Sequence, residues 1–199
     1  MPSVRNNRAL SDDAVLDAAR EAILAVGWSR TTLTDVARRA GASRMTLYRR
    51  WPDMRTLLAD LMTREWTGAI APSFEAGDGD PLRRVVAGVV SAVRALRDNE
   101  LLARITDVDP ELLLPYLLDR RGRSQDIVIG LLAKEIRAAQ RAGAVRRGKP
   151  DLLARSVVLA AHGFTLSAHT MLDVERPRGS DVRRFDQELA TMVERYLQP

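Results

Sequence analysis

Few residues in this 199-residue chain can do chemistry, and their types restrict what that chemistry is. There is no cysteine, which excludes disulfides, thiolate nucleophiles and cysteine-ligated zinc. The only histidines are His162 and His169. On one helix that spacing puts them on nearly one face but about 10.5 Å apart along the axis, whereas a shared zinc needs a closer pair such as i, i+4. Hydrogen bonding in a core or pocket is the role expected of them. No glycine-rich phosphate loop occurs, and the GDGDP stretch after Phe74 lacks the ligand spacing of a calcium site. Catalysis, a bound metal and a cofactor are therefore not expected. What remains is a dense set of hydroxyls, guanidiniums and one long thioether: Thr32, Ser43, Arg44, Met45, Thr46, Tyr48, Arg49 and Arg55.

Those groups suit recognition of double-stranded DNA. A guanidinium can bond guanine O6 and N7 together, worth about 1 to 3 kcal/mol of discrimination, which makes Arg44 the leading base reader. Met45 or the Thr46 methyl can pack on thymine methyls, and Tyr48 and Thr32 are expected on phosphate. Charge is distributed to match. Residues 1 to 56 carry ten Lys/Arg against six Asp/Glu, while the remainder carries twenty-one against twenty. A basic head on a near-neutral body is the footprint of counterion release, although a solvated basic surface without a partner would give the same count.

The elements that must position these residues read as helices throughout, with apolar residues recurring at three- and four-residue spacing and no alternating strand pattern. Ser11, Thr32, Ser43 and Asp53 are each placed to cap a helix, giving four expected helices from residue 11 to about 70. Within them, TLTDVARRAGASRMTLYRRW meets the demands of a helix-turn-helix. Ala37 is small where two helices must cross, Gly41 can turn through positive φ, and Val36, Ala40 and Leu47 supply inward contacts. Ser43 caps the second helix, whose first residues then point into a major groove while Leu47 and Trp51 turn inward. Further helices are expected over about 82–97, 100–105, 110–119, 124–142, 151–171 and 181–197, giving an all-α fold. Residues Ala71 to Pro81 are expected as a loop.

The segment Gly27 to Leu58 resembles the N-terminal signature of the tetracycline-repressor (TetR) family of transcriptional regulators. The matching residues are Thr31-Thr32, Val36-Ala37, Ala40-Gly41, Ser43, Thr46-Leu47-Tyr48 and Trp51. The resemblance implies a basic arm at 1–10, a DNA-binding head at 11–52, and a helical effector-binding and dimerisation body at 53–199. It also marks two departures. Met54 stands where the family tends to place a phosphate-binding lysine, with Arg55 beside it as a substitute, and Met45 stands where glycine is common. Arg5 and Arg8 in the arm are expected either to enter a minor groove or to lack order without DNA.

In the body, residues 151–171 carry no formal charge after Arg155, so this helix must be covered on more than one side. The economical cover is a homodimer in which it meets residues 124–142 of a second copy, with Leu132, Val157, Ala160, Ala161 and Phe164 at the interface or buried within the monomer. The resemblance implies a cavity for a small, largely apolar effector that releases a repressor from a near-palindromic operator. Met62, Trp66, Val90, Leu101, Tyr116, Leu131 and Phe164 are the expected lining, or plain core. A dimer controlled by a protein partner or by abundance is the alternative. No apolar stretch is long enough for a membrane span and the N-terminus lacks a signal-peptide core, so a cytoplasmic protein is expected.

Overall fold

The computed structural model describes residues 11–74, 79–173 and 179–199. The arm, with Arg5 and Arg8, lies outside them. The described residues form ten α-helices with short 3₁₀ or π turns between some of them, and no strand.

Four short-range capping bonds set out the first third. The side chains of Ser11, Thr32, Ser43 and Asp53 accept from the backbone N–H groups of Ala14, Asp35, Thr46 and Thr56, opening α1 (Asp12–Val26), α2 (Leu33–Arg39), α3 (Arg44–Arg50) and α4 (Met54–Ile70). The expected boundaries agree to within a residue. Beyond a 3₁₀ turn at Ala71–Phe74 come α5 (Pro81–Arg97) and α6 (Glu100–Val108). The valines of α5, Val85, Val86, Val89, Val90 and Val93, favour strands locally, but their spacing makes one buried stripe and burial outweighs propensity. Gly88 admits the Ala71–Phe74 turn at close quarters, because a Cβ there would stand 2.8 Å from the Ser73 carbonyl oxygen.

The expected helix over 110–119 is instead two short turns, Pro110–Leu112 and Pro115–Asp119. Pro115 has no N–H to continue a helix begun at Pro110, and its ring clashes with the preceding turn. Then α7 (Arg123–Arg141) and α8 (Pro150–Leu166) pack as a helical pair. The latter stops short of the expected Met171. Ser167 closes the last α turn, and Thr170 bonds back to the Ser167 carbonyl through both its N–H and its hydroxyl, tightening 168–171 into a 3₁₀ turn. The short α9 (Gly179–Val182) leads into α10 (Arg184–Leu197), which packs on α5 and α8.

Two apolar cores result. The first joins α1 to α4 with Leu101, Leu102 and Ile105 of α6, so it crosses the boundary expected at residue 52. The second joins α5, α7, α8 and α10. Asp109, almost wholly buried at the end of α6, ties α6 to the head by accepting from the backbone N–H groups of Trp28 at 2.7 Å and Ser29 at 3.2 Å. Burial pushes its carboxyl up, but the bonds from Ser29 and Trp28 outweigh this and hold it below the usual carboxylate range. Within the second core, Asp186 of α10 is buried between Arg94 and Arg97 of α5.

Candidate nucleic-acid interface and internal cavity

The reading helix is anchored by two side chains. Leu47 and Trp51 are buried in the head core, and the Trp51 indole N–H donates to Asp60 of α4 at 2.9 Å. Gly41 turns the chain at φ +66°. No atom lies within 4 Å of where its Cβ would stand, so backbone conformation rather than crowding selects glycine. The Ala42 N–H closes the turn onto the Ala37 carbonyl at 2.9 Å, with Ala37 buried where α2 and α3 meet.

Every expected DNA-contacting residue, Thr32, Ser43, Arg44, Met45, Thr46, Tyr48, Arg49 and Arg55, has an exposed side chain. Their hydrogen-bonding states differ. Thr32 donates its hydroxyl proton to Asp35 at 2.6 Å while accepting from the Asp35 N–H, which holds the Asp35 carboxyl low and leaves no hydroxyl proton for a phosphate. Ser43 and Thr46 hydroxyls bond each other at 2.8 Å. Among the described residues, Arg44 and Arg49 have no carboxylate partner and Arg55 has only the nearby charge of Asp53, whereas Arg50 is held by Asp12 at 3.0 Å. At about 100° per residue, Met45 and Arg49 lie opposite buried Leu47, with Arg44 and Tyr48 on one flank. Met45 is 82% exposed, the centre of the outward face.

The body holds an internal cavity of about 310 Å³ between α4, α5, α7 and α8. Met62, Trp66 and Tyr116 line it; Val90, Leu101, Leu131 and Phe164 do not. Leu101 is buried in the first core, Val90 belongs to the second, and Phe164 sits edge-on to Phe185 at 6.4 Å between ring centres. The adjacent Val89, Leu102 and Leu132 are turned to the cavity instead. Its deep wall is apolar. Its mouth is built from Arg120 to Gln125, where the chain enters α7. Gln125 accepts from the Gly122 N–H at 2.7 Å, which orients its amide so that Nε2 faces the His162 Nε2 at 3.4 Å. An amide nitrogen only donates, so His162 carries its ring proton on Nδ1. Burial pushes the His162 pKa down, keeping the ring neutral near pH 7. His169 lies outside this cavity, and no group of metal-ligating residues occurs among the described residues.

Residues 15–61 match the profile of the bacterial regulatory proteins of the tetR family. An uncharacterised HTH-type transcriptional regulator of Mycobacterium bovis is 37% identical over 168 residues, covering 84% of this chain and 87% of its own. The chain belongs to the TetR family. It is a DNA-binding transcriptional regulator with a helix-turn-helix head on an all-helical body. Two solved TetR-like structures share this fold. The transcriptional repressor QsdR of R. erythropolis has a TM-score of 0.67 at 17% identity, covering 92% of this chain and 93% of its own. SmeT of Stenotrophomonas maltophilia, in complex with triclosan, has a TM-score of 0.63 at 20% identity, covering 94% and 91%.

In this TetR protein the expected interface residues separate. Leu132 and Val157 are buried inside the protomer and, with Ala161, line the cavity. The packing of α7 on α8 consumes that stripe. Ala160 and Phe164 are half-buried. What α8 exposes is Asp151, Leu152, Arg155, Leu159 and Gly163, of which the last four fall within a narrow sector of the helix, and α10 exposes Met192 and Tyr196. Expectation missed Asp60, which bonds Trp51 on one side and Arg123 at the cavity mouth on the other, at 2.7 Å. It also missed Asp109 and the mouth itself. The run Arg120 to Arg123, followed by Ser124 and an apolar stripe, was the available signal for the latter. No helix is long and apolar enough to cross a membrane among the described residues.

Proposed function

We propose that this protein is a homodimeric repressor that leaves a near-palindromic operator when a small, largely apolar effector fills the body cavity. One observation carries the reading: α4 begins directly beyond the reading helix and carries Met62, Trp66 and Ile70 into the cavity wall. A ligand that tilts α4 therefore moves α3. The Trp51–Asp60–Arg123 bonds add a polar route between the same two places. Linkage requires that operator DNA weaken the effector as much as the effector weakens DNA. The complex of SmeT with triclosan supports an apolar ligand for a body of this fold.

Two copies are required because a pair of reading helices must reach successive major grooves, roughly 34 to 36 Å apart for half-sites one turn apart. The exposed Leu152 and Leu159 of α8, beside Met192 and Tyr196 of α10, offer a face that a two-fold related copy would cover. Arg44, Met45, Arg49 and Tyr48 supply the contacts to bases and phosphate, with Arg55 standing in at the phosphate position that Met54 leaves empty.

The test is binding to DNA from upstream of the protein's own gene at two salt concentrations, combined with sedimentation and a thermal-shift screen of lipophilic compounds. A dimer is expected, with affinity falling steeply as salt rises. At least one compound should both stabilise the protein and release DNA. Salt-independent binding would sink the DNA contacts, a persistent monomer the dimer, and stabilisers that never release DNA the effector role.

A further inference from the structure

The mouth of the cavity has a charge that its apolar depth does not explain. Its charged lining residues are Arg120, Arg121 and Arg123, and no Asp or Glu lines it. Arg121 is paired with Asp126 at 2.9 Å and Arg123 with Asp60 at 2.7 Å. Arg120 has no carboxylate partner among the described residues; its guanidinium lies 5.7 Å over the Tyr116 ring. Ser124, beside it, is a cavity-lining residue only 6% exposed. Its hydroxyl makes no hydrogen bond in the folded chain and keeps some exposure, so it is free to bond a molecule in the cavity. The N-terminus of α7 opens at the same point. Gly122 occupies the capping position and has no side chain, so the first N–H groups of a 19-residue helix lack the side-chain cap that Ser11, Ser43 or Asp53 gives elsewhere. On the cavity wall, Trp66 has a buried indole N–H without a partner.

All of these groups can donate, and a helix N-terminus, an unpaired guanidinium and a free hydroxyl together favour an anion. Elsewhere the lining includes Ile70, Val89, Val93, Leu132 and Val157, which offer nothing polar. We infer that the cavity takes an amphiphilic carboxylic acid, its carboxylate at Ser124, Arg120 and the start of α7 and its hydrocarbon body against α5 and α8. This rests on the effector reading above and narrows it to one chemical class. His162, kept neutral by burial, adds no charge that would attract acids of any shape.

The experiment measures dissociation constants by calorimetry for octanoate and decanoate, for the alcohols of the same length, and for decylamine, all below their aggregation concentrations. The acids should bind about tenfold or more tightly than their alcohols, with the amine weakest. Ser124→Ala and Arg120→Gln should each lower the acid-to-alcohol affinity ratio several-fold, and the double variant should bring it near unity. Because Arg120 is exposed and Ser124 bonds nothing, both variants should fold, which their unfolding midpoints check. Equal affinity for acid and alcohol, an unchanged ratio in the variants, or no binding by either acid would overturn the assignment. Release of DNA by alcohols and amines as readily as by acids would remove only the charge preference and leave the effector reading standing. Binding of acids with the expected ratio but without DNA release would do the reverse.

Discussion

The head and the cavity of the body treat their polar groups differently. In the head, each of the four helix starts is closed by a side-chain oxygen, the Trp51 indole is paired, and the helix that carries the exposed cations is anchored by buried Leu47 and Trp51. In the body, Asp80 and Asn99 cap α5 and α6, but around the cavity α7 opens without a side-chain cap on its first N–H groups, Ser124 is unbonded, and the indole N–H that Trp66 of α4 carries to the cavity wall is buried without a partner. A surface that reads DNA must hold its side chains in place before contact. A cavity that senses a ligand must leave donors unsatisfied until the ligand arrives, because only then does binding add bonds that the empty state lacks.

The contrast breaks most visibly where the body is itself tightly paired. Asp186 is 3% exposed and is shared by Arg94, at 2.6 Å, and Arg97. Asp186→Ala removes the acid and strands Arg97, itself mostly buried, beside the second core. A loss of about 3–5 kcal/mol is expected, read as a lowered urea midpoint. If α5 and α10 are held by apolar packing alone, the midpoint will barely move.

The junction between the two regions comes next. Asp109→Ala leaves the N–H groups of Trp28 and Ser29 without their acceptor, and a cost of about 2 kcal/mol is expected. The sign with pH follows from its lowered pKa. Stability from this carboxylate is complete above the unfolded value of about 3.9 and is lost as pH falls through the lower folded one. The parent protein should therefore lose a part of its stability below about pH 4 that Asp109→Ala has already lost. Parallel acid limbs for the two proteins would show that Asp109 is not held low by the head.

How much was legible in the sequence follows the same division. The helices of the head could be placed to a residue because their signals are local: a hydroxyl or carboxylate, then an amide three positions on, then glycine at the turn. The two anchors, Leu47 and Trp51, were equally plain. The cavity was not, because a helix face rotates by about 100° per residue and sequence alone does not say which of two apolar neighbours faces an empty space. Val90, Leu101 and Leu131 were each one position from a residue that does line it, Val89, Leu102 and Leu132. Asp109 and Trp28 are 81 residues apart, and no local pattern announces such a bond. The exposed Leu152 and Leu159 of α8 were hidden among its inward apolar residues, since both sets belong to a helix apolar on most sides.

Within the head, Gly41→Ala tests whether the turn is a matter of conformation alone. With φ at +66° and no neighbour near the added methyl, only the backbone penalty applies, about 1–2 kcal/mol. The loss should appear in thermal unfolding and, because the α2–α3 angle depends on this residue, in weaker operator binding. A variant that keeps full stability would mean that the turn relaxes to another conformation, which circular dichroism and DNA affinity together would reveal.

The smallest effect on folding and the sharpest test of the reading surface belong to Met45. At 82% exposure it buries little side-chain surface, so Met45→Ala should change stability by no more than about 0.5 kcal/mol. If the outward face of α3 enters the major groove, the same substitution should weaken binding at positions carrying a thymine methyl and leave binding to random DNA unchanged. Arg44→Ala, one flank away, should relax preference at a guanine instead. These two patterns separate a helix that enters the groove centred on Met45 and Arg49 from one rolled toward Arg44 and Tyr48. In the rolled case Met45→Ala would be silent on every sequence, while Arg44→Ala would carry nearly all the discrimination. A head that holds its side chains rigidly allows only one of the two.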